Sequence, residues 1–229
     1  MAQHPVAARF ERVAHRGAPK ERIENTLPGF MLALEHGAEA IELDVHVTSD
    51  GEVVVHHDYV AAGHVIASST WRDLSVLDLG SGSTMPRLAD VLDAIGDRAV
   101  TYIELKGVHI EHAVIATARQ HGHRFALHSF DPDAIKRVET EAPDIARGIL
   151  LDRGTPHPAD ELRRLVDRLR PRDVWPHWSL VDPSLMEAAR EAGVRVIVWT
   201  VNSVDMARAL ASIAVDGLCT DDVRLLNNL

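Results

Sequence analysis

The sequence predicts one α/β domain over residues 1–229, built as a (β/α)8 TIM barrel with a short insertion after the second strand region. The length of 229 residues suits this fold, because such barrels run to about 250 residues as one unit. Short runs rich in Val and Ile alternate with segments whose apolar residues recur every three or four positions, as strands and helices require. The alternation gives eight strand candidates, which is the number that closes a barrel.

The strand candidates are short apolar segments, at residues 12–16, 40–47, 99–105, 124–129, 145–151, 173–175, 195–201 and 217–220. Helix signals lie between them. Asp131-Pro132 and Asp182-Pro183 each place a capping residue before a proline at the first helical position. Gly193 predicts a helix end immediately before the strand that starts at residue 195.

Residues 55–86 interrupt the alternation with several glycines and a Ser/Thr cluster. They predict a long loop or small insertion rather than a helix, and loops of this length in a compact domain are usually functional. The competing fold is an open doubly wound sheet. Its glycine-rich phosphate-binding turn is missing here, because the first strand candidate is followed by a single glycine, Gly17.

Composition and charge exclude several classes of protein. The chain carries 24 Lys and Arg against 34 Asp and Glu, a net charge of −10 that repels nucleic acid. No apolar run approaches the roughly 20 residues of a membrane helix. The first five residues lack the pattern of a signal peptide, so we expect a cytoplasmic protein without an integral membrane segment.

Polar residues at the strand ends predict a metal site. Side chains alternate along a strand, so Glu42 and Asp44 share the barrel-facing side, and Glu104 and Lys106 point inward from the next barrel strand. Close carboxylates repel one another by up to roughly 4 kcal/mol per pair, which favours a divalent cation. An all-oxygen ligand set suits Mg²⁺ or Ca²⁺ better than zinc. The alternative is that the acids pair with nearby arginines.

Two histidines end apolar segments in the same region. His15 and Arg16 close the first strand candidate, and His57 and Asp58 follow an apolar run at residues 53–55. A guanidinium fork suits phosphate oxygens, and two imidazoles permit an acid and a base near neutral pH. His56 is adjacent, and we choose His57 because it directly precedes Asp58.

The other histidines, among them His128, are interpreted as surface or packing residues. The roles of His46 and His56 stay open. His46 is the least settled, because it shares the inward face of its strand with the two acids.

The ordered motifs resemble those of the glycerophosphodiester phosphodiesterases over almost the whole chain. The early motifs are His15-Arg16-Gly17, Glu24-Asn25-Thr26, Glu42-Leu43-Asp44-Val45, Thr48-Ser49-Asp50-Gly51 and Val54-Val55-His56-His57-Asp58. The later motifs are Glu104-Leu105-Lys106, Ser129-Phe130-Asp131, Trp199-Thr200-Val201-Asn202 and Asp216-Gly217-Leu218-Cys219-Thr220-Asp221.

The resemblance implies a barrel that uses one divalent cation to hydrolyse glycerophosphodiesters to sn-glycerol 3-phosphate and an alcohol. By position, His15 and His57 match the catalytic histidines, and Glu42, Asp44 and Glu104 match the metal ligands.

Further positions match substrate-binding and supporting residues. Arg16 and Lys106 match positions that face the phosphate, and Trp199 matches an aromatic residue of the pocket wall, although ordinary barrel packing is an equal interpretation of it. Glu24 and Asn25 match a polar element that supports the site, as Asp58 does beside its histidine.

Several alternatives stay open. Residues 59–64 replace the acidic-Arg-Thr-Thr run of many family members, so the preferred alcohol is not determined, and lysophospholipids are an alternative substrate class. Attack by water and attack by the glycerol 2-hydroxyl, through a cyclic phosphate, both fit the resemblance. A Schiff-base enzyme built on Lys106 is disfavoured, because nearby carboxylates raise the pKa of a lysine. A barrel that binds phosphodiesters without cleaving them is a further alternative, and the oligomeric state is not determined.

Overall fold

The structure, a computed structural model, describes residues 10–227 and 229, and in this part of the chain eight parallel strands close into a barrel. The first five residues, which bear on the expected location of the protein, lie outside the described residues. The barrel strands are β1 (Glu11–His15), β2 (Ala40–Val47), β6 (Val100–Leu105), β7 (Phe125–Ser129), β8 (Arg147–Leu151), β9 (Asp173–Pro176), β10 (Arg195–Val198) and β11 (Gly217–Thr220). β1 closes the barrel by pairing with both β2 and β11, so that Ala14 lies opposite Ile41 and Thr220. The predicted fold class is confirmed.

Helices connect the barrel strands. They are α1 (Leu27–Glu35), α2 (Trp71–Leu74), α3 (Leu88–Ile95), α4 (Glu111–His121), α5 (Pro132–Glu141), α6 (Pro158–Leu169), α7 (Pro183–Ala192) and α8 (Val204–Ser212). The predicted caps are confirmed, because Asp131 accepts from the backbone N–H of Asp133 and Asp182 from that of Leu185. Gly193 ends α7 with a φ of 65°, in the left-handed region that glycine adopts freely. Among the described residues, no helix combines the length and apolar character needed to cross a membrane.

The interruption at residues 55–86 is a small insertion attached to β2. The strand β3 (Val53–Val55) runs antiparallel to β2, and a short hairpin follows, formed by β4 (Val60–Ala61) and β5 (His64–Val65). The expectation that this segment holds no helix is wrong. It contains a 3₁₀ turn and the single-turn helix α2, which Thr70 and Asp73 cap reciprocally.

Apolar residues fill the barrel on both sides of the strands. Ile41, Leu43 and Val45 of β2 pack outward in the core between strands and helices. The barrel interior holds a separate cluster of buried side chains: Val13, Ala40, Tyr102, Ala126, Leu150, Trp175, Ile197 and Cys219. Buried polar side chains lie at both ends of this cluster, with Glu42, Asp44, Glu104 and His128 toward the carboxyl ends of the strands and Asp173 at the opposite end.

Candidate active site

Strand register brings the polar residues of four neighbouring strands together at the barrel mouth. His15 on β1 pairs with Glu42 on β2, Asp44 pairs with Glu104 on β6, and Glu104 pairs with His128 on β7. Because each of these side chains points into the barrel, neighbouring strands supply acids and imidazoles to one layer. The alternation that predicted convergent acids on β2 is therefore observed.

A cavity of about 160 Å³ opens at this layer. Its lining includes these residues from the sequence-based prediction: His15, Arg16, Glu42, His57, Glu104, Lys106 and Trp199. Four more predicted residues are not in the lining but are joined to it, directly or through one another, by ion pairs and hydrogen bonds: Asp44, Asn25, Glu24 and Asp58. The structure thus brings the predicted residues into one region, in two layers.

Glu42, Glu104 and His128 form a buried group that could hold a metal ion. Each offers one donor atom, and these atoms lie within 4.8 Å of one another. Neither ring nitrogen of His128 has a hydrogen-bond partner among the described residues, although the residue is 1% exposed. Buried donors and acceptors without partners are costly, so the chemistry of this group fits a divalent cation.

The two carboxylates of this group ionise differently. Burial raises the pKa of Glu104 to about 7, with the negative charge of Asp44 acting in the same direction. Burial also opposes ionisation of Glu42, but contact with His128 and the positive charges of His15 and Arg16 outweigh it and lower its pKa to about 2. A cation bound here would favour the ionised form of Glu104 and lower its pKa.

Asp44 is fully buried and is surrounded by cationic and amide groups. Its Oδ2 lies 3.1 Å from Nε of Arg16 and accepts a 2.9 Å hydrogen bond from Nδ2 of Asn25. Its Oδ1 lies 3.8 Å from Nζ of Lys106. This carboxylate therefore holds both predicted phosphate-binding cations at the edge of the cavity.

Arg16 and Lys106 are half-buried and each has a second acidic partner. Arg16 Nη1 lies 3.0 Å from Oε1 of Glu24, and Lys106 Nζ lies 3.0 Å from Oε1 of Glu104. Burial acts to lower the pKa of Lys106, but Glu104 and Asp44 raise it above its usual value. Both cations stay charged near neutral pH, as a phosphate site requires.

His15 is held by a carboxylate that follows the last barrel strand. Its Nδ1 lies 2.7 Å from Oδ1 of Asp221, and Oδ2 of Asp221 accepts a 2.6 Å hydrogen bond from Asn202. Nε2 of His15 faces Glu42 at 4.0 Å. Burial acts to lower the pKa of His15, but the hydrogen bond to Asp221 and the charge of Glu42 raise it above its usual value.

His57 also has a carboxylate partner in the same region. Its Nδ1 lies 2.7 Å from Oδ1 of Asp58. The backbone carbonyl of His57 is 3.2 Å from Nε2 of the buried His46, whose pKa burial lowers to about 4, so its neutral imidazole can donate that hydrogen bond. His56 is half-buried and lies outside the cavity lining. The choice of His57 over His56 fits this geometry.

Aromatic side chains form one wall of the cavity. Trp199 donates from its indole nitrogen to the backbone oxygen of Trp175 at 2.9 Å. Its ring lies edge-on to Phe130, with centroids 5.4 Å apart, and edge-on to His177 at 5.3 Å. Phe130 and the neighbouring Trp178 are exposed, so this wall continues outward onto the surface of the mouth.

Reasoning from sequence misses two residues of the site. It assigns His128 to surface or packing, yet strand alternation applied to residues 124–129 places this residue on the inward face. It gives Asp221 no role beyond a motif, although this acid directly follows a barrel strand. The positions of His128 and Asp221 at the ends of predicted strands could therefore have identified both residues.

A larger cavity of about 700 Å³ lies at the opposite end of the barrel. Its acids are engaged locally, because Glu11 pairs with Arg195, Glu39 pairs with Arg12, and Asp216 accepts from the backbone N–H of Val196. These contacts leave no cluster of acids and imidazoles in the described lining. The smaller cavity at the mouth, by contrast, has two acids and three imidazoles in its lining.

Comparisons with known proteins show sequence similarity over almost the whole chain. A sequence model of the glycerophosphoryl diester phosphodiesterase family matches residues 15–225. A glycerophosphodiester phosphodiesterase of Caldanaerobacter subterraneus subsp. tengcongensis is 30% identical over 237 residues, covering 95% of this chain and 96% of the relative.

Solved structures have the same fold. A glycerophosphodiester phosphodiesterase of Thermotoga maritima superposes with a TM-score of 0.82 at 27% identity, covering 95% of this chain and 97% of that one. A phosphodiesterase of Oleispira antarctica, solved in complex with its product sn-glycerol-3-phosphate, gives a TM-score of 0.85 at 24% identity, covering 94% of this chain and 95% of that one.

Proposed function

The chain belongs to the glycerophosphoryl diester phosphodiesterase family, and we propose that it cleaves glycerophosphodiesters to sn-glycerol 3-phosphate and an alcohol with two histidines and one divalent cation. Membership makes it a phosphoric diester hydrolase. The proposed product agrees with that of the Oleispira antarctica phosphodiesterase of the same fold.

Arg16 and Lys106 bind the phosphate in this proposal. Both cations line the cavity, and the buried Asp44 fixes their positions from behind. The planar guanidinium can donate to two phosphoryl oxygens, whereas the ammonium acts as a point charge. The pair offsets charge that the phosphorane-like transition state accumulates on its oxygens.

Glu42 and Glu104 supply oxygen ligands to the cation, and Asp44 and His128 are the candidates for a third protein ligand. The bound cation supplies Lewis-acid polarisation of the phosphoryl oxygens. Mg²⁺ and Ca²⁺ are the ions that an all-carboxylate set would favour.

His15 and His57 move the protons. Each has its Nδ1 held by a carboxylate, so that Nε2 is the nitrogen free to face the substrate. One imidazole removes the proton of the attacking hydroxyl or water, and the other protonates the departing alcohol oxygen. Each transfer is typically worth about 10²- to 10⁴-fold in rate.

One observation carries the proposal: two carboxylate-anchored histidines line the same cavity as an Arg/Lys pair and a buried acid group. The test measures sn-glycerol 3-phosphate released from glycerophosphocholine, glycerophosphoethanolamine and glycerophosphoglycerol, with added Mg²⁺ or Ca²⁺ and with a chelator. We expect release that the chelator abolishes, and loss of release in His15→Ala and His57→Ala.

His112→Ala is the matched control, because the side chain of His112 on α4 is 86% exposed and lies outside the cavity lining. It should retain wild-type release. Near-wild-type release in His15→Ala or His57→Ala would remove that residue from the mechanism. Binding of the same compounds without any turnover by the wild-type protein would favour the non-catalytic alternative.

Lysophospholipids are a second substrate class that one observation favours. The exposed Phe130 and Trp178 extend the aromatic wall beyond the cavity, where an acyl chain could lie. A choline-release assay compares the two classes, because cleavage of lysophosphatidylcholine gives lysophosphatidic acid and choline, whereas cleavage of glycerophosphocholine gives sn-glycerol 3-phosphate and choline. Faster turnover of lysophosphatidylcholine than of glycerophosphocholine would make lysophospholipids the preferred class.

Three further expectations stay predictions: that residues 1–229 form one domain, that the protein is cytoplasmic, and that it does not bind nucleic acid.

A further inference from the structure

His46 is a buried histidine whose role the sequence leaves open. It is 3% exposed on β2 and lies on the same face of that strand as Asp44. On β3 it pairs with Val54, whose side chain packs in the small core of the insertion. Because opposed residues of an antiparallel pair share one face, an apolar side chain would suit this packing as well as an imidazole does.

The imidazole makes one contact that an apolar side chain could not make. Nε2 of His46 lies 3.2 Å from the backbone carbonyl oxygen of His57, and because a carbonyl oxygen only accepts, Nε2 carries the proton and donates. The ring of His46 also lies edge-on to that of Tyr59, with centroids 5.2 Å apart. His46 therefore contacts the chain at two points just after β3.

The segment that His46 contacts lies between strands. β3 ends at Val55, and β4 begins at Val60. The backbone N–H of His56 donates to the carbonyl of Asp44 at 3.0 Å, which continues the pairing of β2 and β3 by one residue. His57 is the next residue, so the side chain of His46 supports the chain where this pairing has ended.

The supported carbonyl belongs to the residue that carries a proposed catalytic imidazole. Nδ1 of His57 contacts Oδ1 of Asp58, whose side chain is 73% exposed. Since Asp58 is the adjacent residue, it moves with the same loop and cannot fix the imidazole relative to the barrel. A hydrogen bond from β2 can do so, because β2 is a barrel strand and also carries Glu42.

We infer that His46 is a positioning residue for His57: its Nε2–H holds the backbone carbonyl of His57 close to β2, and its ring supports Tyr59. The inference rests on the proposed function for the catalytic role of His57. A misplacement of about 1 Å at a catalytic group can cost about 100-fold in rate. Loss of this donor should therefore slow turnover more than it weakens substrate binding.

The test compares His46→Leu with His46→Gln by steady-state release of sn-glycerol 3-phosphate with added Mg²⁺. Leu removes the donor and suits an apolar environment, whereas Gln keeps an amide N–H. We expect kcat to fall about 10-fold or more in His46→Leu and to stay within about threefold of the wild-type value in His46→Gln. KM should change by less than about twofold in both, because Asp44 rather than His46 holds Arg16 and Lys106.

Leu74→Ala is the matched control for packing of the insertion. Leu74 is fully buried in the same small core as Val54, but it belongs to α2. This variant should lower Tm and keep the wild-type kcat. An equal loss of kcat in Leu74→Ala and His46→Leu, or a wild-type kcat in folded His46→Leu, would overturn the inference.

Nuclear magnetic resonance tests the contact without turnover. Long-range ¹H–¹⁵N correlation identifies the ring nitrogen of His46 that carries the proton, and we expect Nε2. Relaxation of backbone ¹⁵N should show residues 57–59 ordered in the wild-type protein and in His46→Gln, and mobile on the nanosecond timescale in His46→Leu.

The protonated nitrogen is measured on the wild-type protein, so this result stands even if His46→Leu does not fold. A proton on Nδ1 alone, or equal order of residues 57–59 in all three proteins, would overturn the inference whatever the activity. Absence of turnover in a wild-type protein with the expected proton on Nε2 would instead overturn the proposed function and leave the contact between His46 and His57 intact.

Discussion

Each proposed catalytic histidine has its own carboxylate, and the two carboxylates differ in surroundings. Asp221 has a side chain 21% exposed and is held in place by Asn202, whereas the side chain of Asp58 is 73% exposed. A carboxylate in a drier setting interacts more strongly with an imidazolium, because water screens it less. We therefore expect the loss of the Asp221 carboxylate to impair catalysis more than the loss of the Asp58 carboxylate.

Asp221→Asn tests this difference through pH. The hydrogen bond to Asp221 raises the pKa of His15, so removing the negative charge lowers that pKa. The limb of the pH–rate profile governed by His15 should move to lower pH by about one unit, whether His15 acts as acid or as base. kcat should fall about 10-fold or more, because the imidazole loses its fixed tautomer.

Asp58→Asn is the comparison, with a smaller expected fall in kcat because the side chain of Asp58 is the more exposed of the two. Proton NMR titration of the ring signals in the metal-free protein measures the pKa of His15 directly. A pKa of His15 that is unchanged in Asp221→Asn would show that this contact does not set its ionisation.

Prediction of the site from sequence succeeded where neighbours in the chain share a strand. Alternation alone placed Glu42 and Asp44 on one face. The contact of His15 with Asp221 joins residues 206 positions apart, and it exists because β1 closes the barrel against β11. Such pairing depends on strand order and register, which no local pattern contains.

At the scale of elements, the turn after β1 determines the positions of Arg16 and His15. Arg16 and Asn25 have φ angles of 54° and 56°, and the backbone N–H of Asn25 donates to the carbonyl of Arg16 at 3.0 Å. Gly17 follows with a φ of 91° and lies directly against α1. Backbone contacts thus close the turn and leave little room for a side chain at Gly17.

Gly17→Ala should damage both stability and activity. A Cβ on Gly17 would lie 2.8 Å from the backbone carbon of Gly29 in α1, and the positive φ adds strain of about 1–2 kcal/mol. Because backbone atoms cannot move aside without shifting the helix, we expect the free energy of unfolding to fall by more than about 2 kcal/mol. kcat/KM should fall as well, since the turn carries Arg16.

Gly51→Ala separates the two causes. Gly51 has a φ of 92°, but a Cβ added there would meet no atom within 4 Å, so strain alone applies at this position. Urea unfolding should show a loss of about 1 kcal/mol. Equal losses in both variants would mean that the contact of Gly17 with α1 adds nothing.

Element prediction was accurate for the strands and the capped helices, and it failed in the insertion. Asp182 and Gly193 bound α7 as their local chemistry predicted. The helix α2 has four residues, too few for a helical period to appear in the sequence. It is instead stabilised by its Thr70–Asp73 cap and by packing of Leu74 in the small core of the insertion.

At the scale of the whole molecule, an ionic network around the buried Asp173 joins strands at the end of the barrel opposite the site. Asp173 on β9 is fully buried and contacts Arg172 and Arg195, with Nη1 of Arg195 at 3.3 Å. Arg195 also reaches Glu11 on β1 at 2.7 Å, and the hydroxyl of Tyr102 on β6 donates to the same carboxylate. Strands distant in the chain are thereby joined across the barrel floor.

Asp173→Asn should destabilise the fold while leaving chemistry at the mouth unchanged. The substitution removes the buried partner of Arg172 and Arg195, whose side chains are a third or more exposed, so water compensates part of the lost charge and we expect the free energy of unfolding to fall by about 1–3 kcal/mol. Asp205→Asn is the control, because its side chain is 96% exposed and its ion pair with Arg208 lies in solvent, where no measurable loss is expected. A reduced kcat in the folded Asp173→Asn protein would show that this network also affects catalysis at the opposite end of the barrel.

Cation binding should raise the stability of the whole barrel, because the ion binds a site that exists only when β2, β6 and β7 are assembled. At a free ion concentration 100 times Kd the gain is about 2.7 kcal/mol, or about 5–10 °C in Tm for a domain of this size.

The stability gained from the cation should grow between pH 6 and pH 8. The pKa of Glu104 is raised to about 7 from 4.5, so protons compete for this ligand at the lower pH, and ionising it without a cation costs stability as pH rises. Differential scanning calorimetry with Mg²⁺ and with a chelator measures both the gain and its pH dependence. Glu104→Gln should remove the ion-dependent rise in Tm and its pH dependence, while His57→Ala should keep both, because His57 lies outside the acid group. A rise in Tm that persists in Glu104→Gln would locate the stabilising ion elsewhere in the protein.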